Sequence, residues 1–261
     1  MPLSDADLSS RLKAASDAVW EAGQLVLSYG QRPAVLDVRE KAPQDLVTAA
    51  DHASDALLKR RLAAAFPTDA FLTEESGGEV GEHLWVIDPI DGTGNFARGL
   101  GHFCVSVAFL DGGRPRLGLI YDPTRDELFM AQEGAGARCN GRLMSVSPAS
   151  EPGKALVDAG YSHRHPKADY LSIVERLVSK GYGFCQAGSA ALGLAYVGDG
   201  RLDAFCELHL HAWDVLAGLL IVREAGGWSS DFLAGDGLLR GNPVLACAPG
   251  LADGLRRLTG I

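Results

Sequence analysis

The stretch Leu84–Phe96, LWVIDPIDGTGNF, places two carboxylates, Asp88 and Asp91, directly behind an apolar run. Such a run reads as a strand that delivers Asp88 at its C-terminal edge, where Pro89 cannot continue the ladder. The turn then returns Asp91 close to Asp88, with the Ile90 carbonyl between them. Two carboxylates and a carbonyl form a hard-oxygen cluster suited to Mg²⁺ rather than to zinc. Gly92 and Thr93 open a helix, or a nest of backbone N–H groups, at the same corner, and such ends attract phosphate. The bland alternative is an Asp-Pro turn followed by an Asp-Gly turn.

Three other acidic islands bear on that choice. Glu74 and Glu75 follow the apolar Ala70-Phe71-Leu72, so a glutamate pair also emerges at the end of a buried segment. Asp51 stands at a predicted helix start, where a carboxylate is favoured anyway. Asp214 precedes the apolar run Val215–Leu220 and could simply cap a helix. Each has an ordinary structural explanation alone; together they outline a metal-assisted phosphoryl site.

The elements that must position these groups are legible in the periodicity. Leu8, Leu12, Ala15, Val19, Ala22 and Val26 form one stripe of an amphipathic helix closed by Gly30 and Pro33. A second helix is predicted over 49–65, with Ala53, Leu57, Leu58 and Leu62 inward. Strands are expected at 84–88, 103–110, 116–121 and 127–131, the middle two joined by the hairpin LDGGRPR. Further on, strands are expected at 155–159, 202–207, 228–231 and 244–248. Helices are expected at 167–180, 189–197 and 212–225, with a last one from Leu251. Strands bunched early and alternating with helices later imply a layered α/β or α+β fold. The stretch Ser147–Lys154 is the best boundary between two halves of one domain, about 1–148 and 149–261. Trp20, Trp85 and Trp228 read as core.

Composition narrows the classes. With 261 residues, 47% hydrophobic and 22% charged, the chain can bury a sizeable core. A net charge of −9 speaks against nucleic acid as a partner. No apolar run approaches the roughly 20 residues that span a bilayer, so no membrane partner is expected. The polar N-terminus has no apolar signal core. The five cysteines form no CxxC pair, which excludes a zinc ribbon and points to a cytoplasmic protein with reduced thiols.

The segments DLVTAAD (45–51), EES (74–76), WVIDPIDGTGNF (85–96), GSAALGLAYVGDGRLDAFCE (188–207) and AWDVLAGLLIVREAGG (212–227) together resemble the inositol monophosphatase family of Mg²⁺-dependent, lithium-sensitive phosphatases. The resemblance implies an αβαβα sandwich, a homodimer and a small phosphorylated substrate. It implies that Glu74, Asp88 and the Ile90 carbonyl hold a first Mg²⁺ and that Asp88, Asp91 and Asp214 hold a second. Glu75 would support a third. Thr93, polarised by Asp51, would orient the attacking water, and the Gly92 and Thr93 amides would take phosphate oxygens. The turn Gly188-Ser189-Ala190 and Glu207 would hold the alcohol, beside Asp214. Lys41 resembles a metal-site lysine, one residue out of register. Gly94 stands where the family often has a second threonine. His209 and His211 are expected to pack or touch substrate, and the loop His163–Lys167 is either solvated or near an anionic substrate or the dimer partner. Myo-inositol 1-phosphate or a related polyol phosphate is the implied substrate. Histidinol phosphate is the alternative, with adenosine 3′,5′-bisphosphate less favoured. Some bacterial members also bind transcription machinery, so a non-catalytic binding protein is the rival; the intact set Glu74, Asp88, Asp91, Thr93 and Asp214 argues against it.

Overall fold

A computed structural model describes residues 3–31, 36–42 and 45–261, the side chains of residues 41, 42 and 45 excepted. Pro33 and the Lys41 side chain, both named above, lie outside the described residues. The chain runs α1 (Asp5–Gly30), β1 (Arg39–Ala42), β2 (Asp45–Val47), α2 (Ala49–Ala65), β3 (Ala70–Thr73), β4 (Gly77–Gly78), β5 (His83–Asp91) and α3 (Thr93–Ala97). Next come β6 (Cys104–Asp111), β7 (Arg114–Asp122), β8 (Glu127–Gln132), β9 (Ala137–Cys139), β10 (Arg142–Leu143) and β11 (Leu156–Ala159). The remainder is α4 (Lys167–Ser179), β12 (Gly183–Cys185), α5 (Ala190–Gly198), β13 (Ala204–Leu210), α6 (Ala212–Glu224), β14 (Trp228–Ser229), α7 (Gly237–Arg240), β15 (Asn242–Cys247) and α8 (Ala252–Thr259).

An eight-stranded sheet, ordered β10-β9-β8-β7-β6-β5-β3-β4, forms one layer. The side chains of its central strands alternate between two cores, as the strand period of two requires. Trp85, Ile87, Val107 and Phe109 pack against α1 and α2, whereas Leu84, Val86, Ala108 and Leu110 pack against α5 and α6. A five-stranded sheet, β12-β11-β13-β15-β14, lies beyond α5 and α6. Its inner face contributes Phe205, Val244 and Ala246 to the shared core. Its outer face packs Val157, Leu245 and Cys247 against Leu177 of α4 and Leu255 of α8. The layers are therefore α1/α2, sheet, α5/α6, sheet, α4/α8, the αβαβα order expected. Among the described residues no helix is long and apolar enough to cross a membrane.

Local chemistry explains the elements. Ser4 and Asp7 close a reciprocal capping box on α1. Gly112 and Gly113 both take positive φ in the β6–β7 turn, the primed geometry that matches strand twist. Gly23 lets α1 approach the sheet, since a β-carbon there would lie 2.5 Å from the Tyr121 ring. Arg11 of α1 forks onto the buried Asp69 at 2.9 and 3.1 Å, while Trp85 Nε1 donates to the same carboxylate at 3.0 Å.

Four expectations need correction. Trp20 is not core: it is 52% exposed, because it stands one residue past Val19 and so about 100° off the buried stripe of α1. On α2, Leu58 and Leu62 are buried and Leu57 packs partly buried against the same core, as expected. The buried face also takes in Ala50, Asp51, Ser54 and Asp55, however, and leaves Ala53 half-buried. Its polar members bond to other elements, Ser54 Oγ donating to the Pro89 carbonyl at 3.0 Å and Asp55 Oδ2 accepting from Ser76 Oγ at 2.7 Å. Pro89 does not end its strand: β5 runs to Asp91, which pairs with Cys104 after a register shift at residues 89 and 90. The bulge absorbs the missing donor. Finally, β13 begins at Ala204 and extends to Leu210 with an irregularity after Glu207, later than periodicity suggested.

Candidate active site

The cleft lies where the ends of β5, β11 and β13 meet the starts of α5 and α6. Part of it is a cavity of about 200 Å³ whose wall includes Asp91, Asp158, Gly188, Ser189, Glu207 and Asp214. Among the described residues no lysine, arginine or histidine lines it.

The β5 bulge builds one side. Ile90 N–H donates to Asp88 Oδ1 at 3.0 Å, so Asp88 braces the turn that carries the Ile90 carbonyl. Thr93 Oγ1 lies 2.8 Å from that carbonyl and 3.0 Å from Asp51 Oδ1. Asp51 Oδ2 in turn accepts from Thr48 N–H at 2.8 Å and Thr48 Oγ1 at 2.6 Å, which fixes Asp51 at the first turn of α2. The predicted Asp51–Thr93 pair is thus in contact. Gly92 caps α3 with φ of 93°, and a β-carbon there would lie 2.9 Å from the His102 carbonyl. Only glycine fits that corner. At Gly94 a β-carbon would meet only the tip of Arg98 at 3.2 Å, so nothing in the structure requires glycine at that position.

The other side is built by α5. Asp91 turns both oxygens to its N-terminus, accepting from Ala191 N–H at 2.6 Å, Ala190 N–H at 3.3 Å and the Ser189 hydroxyl. A carboxylate at a helix start is favoured by the helix dipole. Asn95, which sequence reasoning passed over, ties the two sides together: its Nδ2 donates to the His102 carbonyl at 2.8 Å and the Ala187 carbonyl at 2.9 Å. Asp214, in the first turn of α6, accepts from His211 N–H at 2.7 Å. Glu74 follows β3, where its N–H donates to the Ile87 carbonyl at 3.1 Å, and Glu75 stands 4.0 Å from His52 Nδ1.

The electrostatics are lopsided. Burial pushes Asp88 well above the usual carboxylate range, and the negative charges of Glu74, Asp91, Asp214 and Asp51 push it further. Asp214 is raised by burial and then by Glu74 and Asp91. Burial also raises Asp91, against the hydrogen bonds from Ser189, Ala191 and Ala190 that hold it down. Four carboxylates whose charges act on a fifth, the buried Asp88, are the chemistry of a divalent-metal site. Among the described residues no three such groups already converge as a finished cage; Asp91 faces α5 and Asp214 faces His211. The donor set fits Mg²⁺ in charge, hardness and burial.

His209 Nε2 lies 2.9 Å from the Arg240 carbonyl, and the rings of His209, His211 and Trp213 form a ladder with centroids 5.2 and 4.7 Å apart. Two further residues escaped the sequence reading. Asp158 ends the apolar start of β11, the same signal that drew attention to Asp88, and it lines the cavity. Gly160 lies under Glu207, whose Oε2 would be 2.0 Å from a β-carbon there.

The arrangement defines a layered α/β protein with an acidic, metal-competent cleft at its strand ends. A family model described as the inositol monophosphatase family matches residues 7–258, and the chain belongs to that family. It is 41% identical over 244 residues to the Nus factor SuhB of Pseudomonas aeruginosa, covering 90% of each chain. It is 39% identical to the Nus factor SuhB of Escherichia coli K12, over 89% of this chain and 90% of that one. The crystal structure of extragenic suppressor protein suhB from Bartonella henselae superposes with a TM-score of 0.89 at 34% identity, covering 95% and 97% of the two chains. The inositol monophosphatase from Anabaena superposes at 0.84, also at 34% identity, over 97% and 96%.

Proposed function

We propose that the protein hydrolyses small phosphate monoesters with Mg²⁺, by attack of water rather than of a protein nucleophile. The observation that carries this is buried Asp88, on which the charges of Glu74, Asp91, Asp214 and Asp51 all act, beside a cavity that Asp91 and Asp214 line. Glu74, Asp88, the Ile90 carbonyl, Asp91 and Asp214 would hold two ions, with Glu75 beside a weaker third. Bound there, Mg²⁺ supplies positive charge to the phosphoryl oxygens and lowers the pKa of a water.

The protein groups do the rest. Thr93 donates its proton to Asp51, which leaves an Oγ1 lone pair to accept from a water and aim its oxygen at phosphorus. The amides of Gly92 and Thr93 receive phosphate oxygens, and Gly188, Ser189, Ala190 and Glu207 seat the alcohol. Inositol 1-phosphate or a related polyol phosphate is the substrate the family resemblance favours; histidinol phosphate is the alternative, and adenosine 3′,5′-bisphosphate ranks below both. Lithium inhibition, a cytoplasmic location and a homodimer belong to the same proposal.

The test is phosphate release from a panel of these esters, with and without Mg²⁺ and Li⁺. Mg²⁺-dependent release, suppressed by Li⁺, is expected; no Mg²⁺-dependent release from any ester would refute the proposal. Because the relatives are named Nus factors, a binding role beside hydrolysis is a second possibility. Co-purification of transcription proteins with an inactive Asp88→Asn variant would support it.

A further inference from the structure

The turn that carries Glu74 and Glu75 is linked to α2 through the hydroxyl of Ser76. Ser76 Oγ lies 2.7 Å from Asp55 Oδ2, 2.8 Å from Thr73 Oγ1 and 2.9 Å from Lys59 Nζ. A hydroxyl has one proton and two lone pairs. The Lys59 ammonium can only donate and the Asp55 carboxylate can only accept, so the Ser76 proton goes to Asp55. Thr73 must then donate its own proton to Ser76, while its oxygen accepts from Ser76 N–H at 3.1 Å. The hydrogen-bonding capacity of the Ser76 hydroxyl is thereby filled, and the direction of each bond is fixed.

Asp55 is the costly member of this group. It is 5% exposed, and its Oδ1 has no hydrogen-bond partner among the described residues. A buried carboxylate oxygen without a donor destabilises the fold. What the charge strengthens is the bond from Ser76, since hydrogen bonds to ionised acceptors are shorter and stronger. Asp55 stands one turn after Asp51 on the buried face of α2. The turn packs against the same stretch of helix: the Glu75 side chain is 3% exposed and 4.0 Å from His52 Nδ1, and its charge acts on Asp51. On its other flank, Glu74 N–H donates to the Ile87 carbonyl of β5. The two glutamates are thus set between an anchor on β5 and an anchor on α2. Past Ser76 the chain offers little stiffness, because β4 is two residues long and Gly77 takes φ of 62°.

We propose that Asp55 is a positioning residue: through Ser76 it fixes the turn, and so sets how strongly Glu74 and Glu75 hold Mg²⁺, touching neither the ion nor the ester. This rests on the metal-assisted hydrolysis proposed above and adds to it a residue that governs metal affinity.

The readout is the Mg²⁺ concentration that half-saturates the protein. It is measured by calorimetric titration of Mg²⁺ into metal-free protein and by the Mg²⁺ dependence of p-nitrophenyl phosphate hydrolysis. Asp55→Ala removes the acceptor and should raise both values about tenfold or more, as is typical of groups that orient metal ligands. With the ligands themselves intact, kcat at saturating Mg²⁺ should change by less than about threefold. Asp55→Asn keeps an oxygen for Ser76 and should stay within about twofold of wild type. Ser76→Ala should weaken binding at least as much as Asp55→Ala does. The double variant should be no weaker than Ser76→Ala alone, because both changes cut one link. Arg11→Met breaks a buried ion pair to Asp69, which precedes β3 where Glu74 follows it, and should leave Mg²⁺ affinity as it is. Unchanged affinity in Asp55→Ala would overturn the proposal. So would Asp55→Asn as weak as Asp55→Ala, which would make the effect one of charge, or an equal loss in Arg11→Met, which would make it one of general stability. If a thermal melt shows Asp55→Ala unfolded, Ser76→Ala decides by the same measure. A wild type that binds no Mg²⁺ removes the metal reading and this proposal together; one that binds it, beside an unmoved Asp55→Ala, removes this proposal alone.

Discussion

Replacing Asp91 by asparagine removes one negative charge while preserving the volume of the side chain. Asparagine can place its carbonyl where Oδ2 stands, so Ala191 N–H and the Ser189 hydroxyl keep an acceptor. Its amide then faces Ala190 N–H, a donor against a donor. The charge–dipole interaction with the start of α5 is lost, worth about 1–2 kcal/mol in a partly buried setting. Against this, Asp88 and Asp214 each lose a like charge that raised them. The two effects nearly offset, so without metal the variant should lie within about 1–2 kcal/mol of wild type, a Tm change of roughly 2–6 °C. With metal the outcome differs, because a charged donor to one proposed ion is gone. Turnover should fall at least about a hundredfold, or about 2.7 kcal/mol of barrier, and the rise in Tm on adding Mg²⁺ should shrink. The assays are phosphate release across a Mg²⁺ titration and paired thermal melts with and without the metal. Full turnover together with an undiminished Mg²⁺-induced rise in Tm would refute the role assigned to Asp91.

Three further outcomes follow from the same geometry. Gly92→Ala forces a side chain into φ of 93° and toward the His102 carbonyl; it should cost about 1–3 kcal/mol and activity with it, read by a melt and an ester assay. Arg11→Met leaves the carboxylate of Asp69 buried without its cation, which should lower the urea-unfolding free energy by about 3–5 kcal/mol. Glu207→Gln tests the raised carboxyl of Glu207, from 4.5 to about 8. The native state holds this proton more tightly than the unfolded state does. Its contribution is therefore full below pH 4.5 and is lost as pH rises toward 8. In metal-free buffer the variant should gain roughly 2–4 kcal/mol on wild type between pH 5 and pH 8, after discounting for solvent at this half-buried group; equal pH profiles would show that Glu207 is not so perturbed.

What could be foreseen from the sequence depended on how local the cause was. Asp88, Asp91 and Thr93 share one turn, so their spacing alone announced a cluster, and the contact between Thr93 and Asp51 followed from the family resemblance. The helix of 49–65 is legible with Leu58 and Leu62 inward, but its buried polar residues are not, because Ser54 and Asp55 face the Pro89 carbonyl and Ser76 on other elements. The extension of β5 past Pro89 needed Cys104 as a partner. Asn95 could not be found at all from its neighbours: its work is to join the His102 and Ala187 carbonyls, 85 positions apart in sequence. Asp158 could have been found, since it too is a carboxylate closing a short apolar strand.

The seam that Asn95, Asp91 and Ser189 close has a consequence for when the protein becomes reactive. Glu74, Asp88 and Asp91 come from the eight-stranded sheet, while Asp158 and Glu207 come from the five-stranded one, with α5 and α6 between them. Neither sheet alone holds all the groups that the proposed hydrolysis would use. A chain emerging from synthesis with only its first sheet formed carries a cluster of acids and no seat for an alcohol. The proposed chemistry would thereby be withheld until the last layers dock, and activity would report the completion of folding.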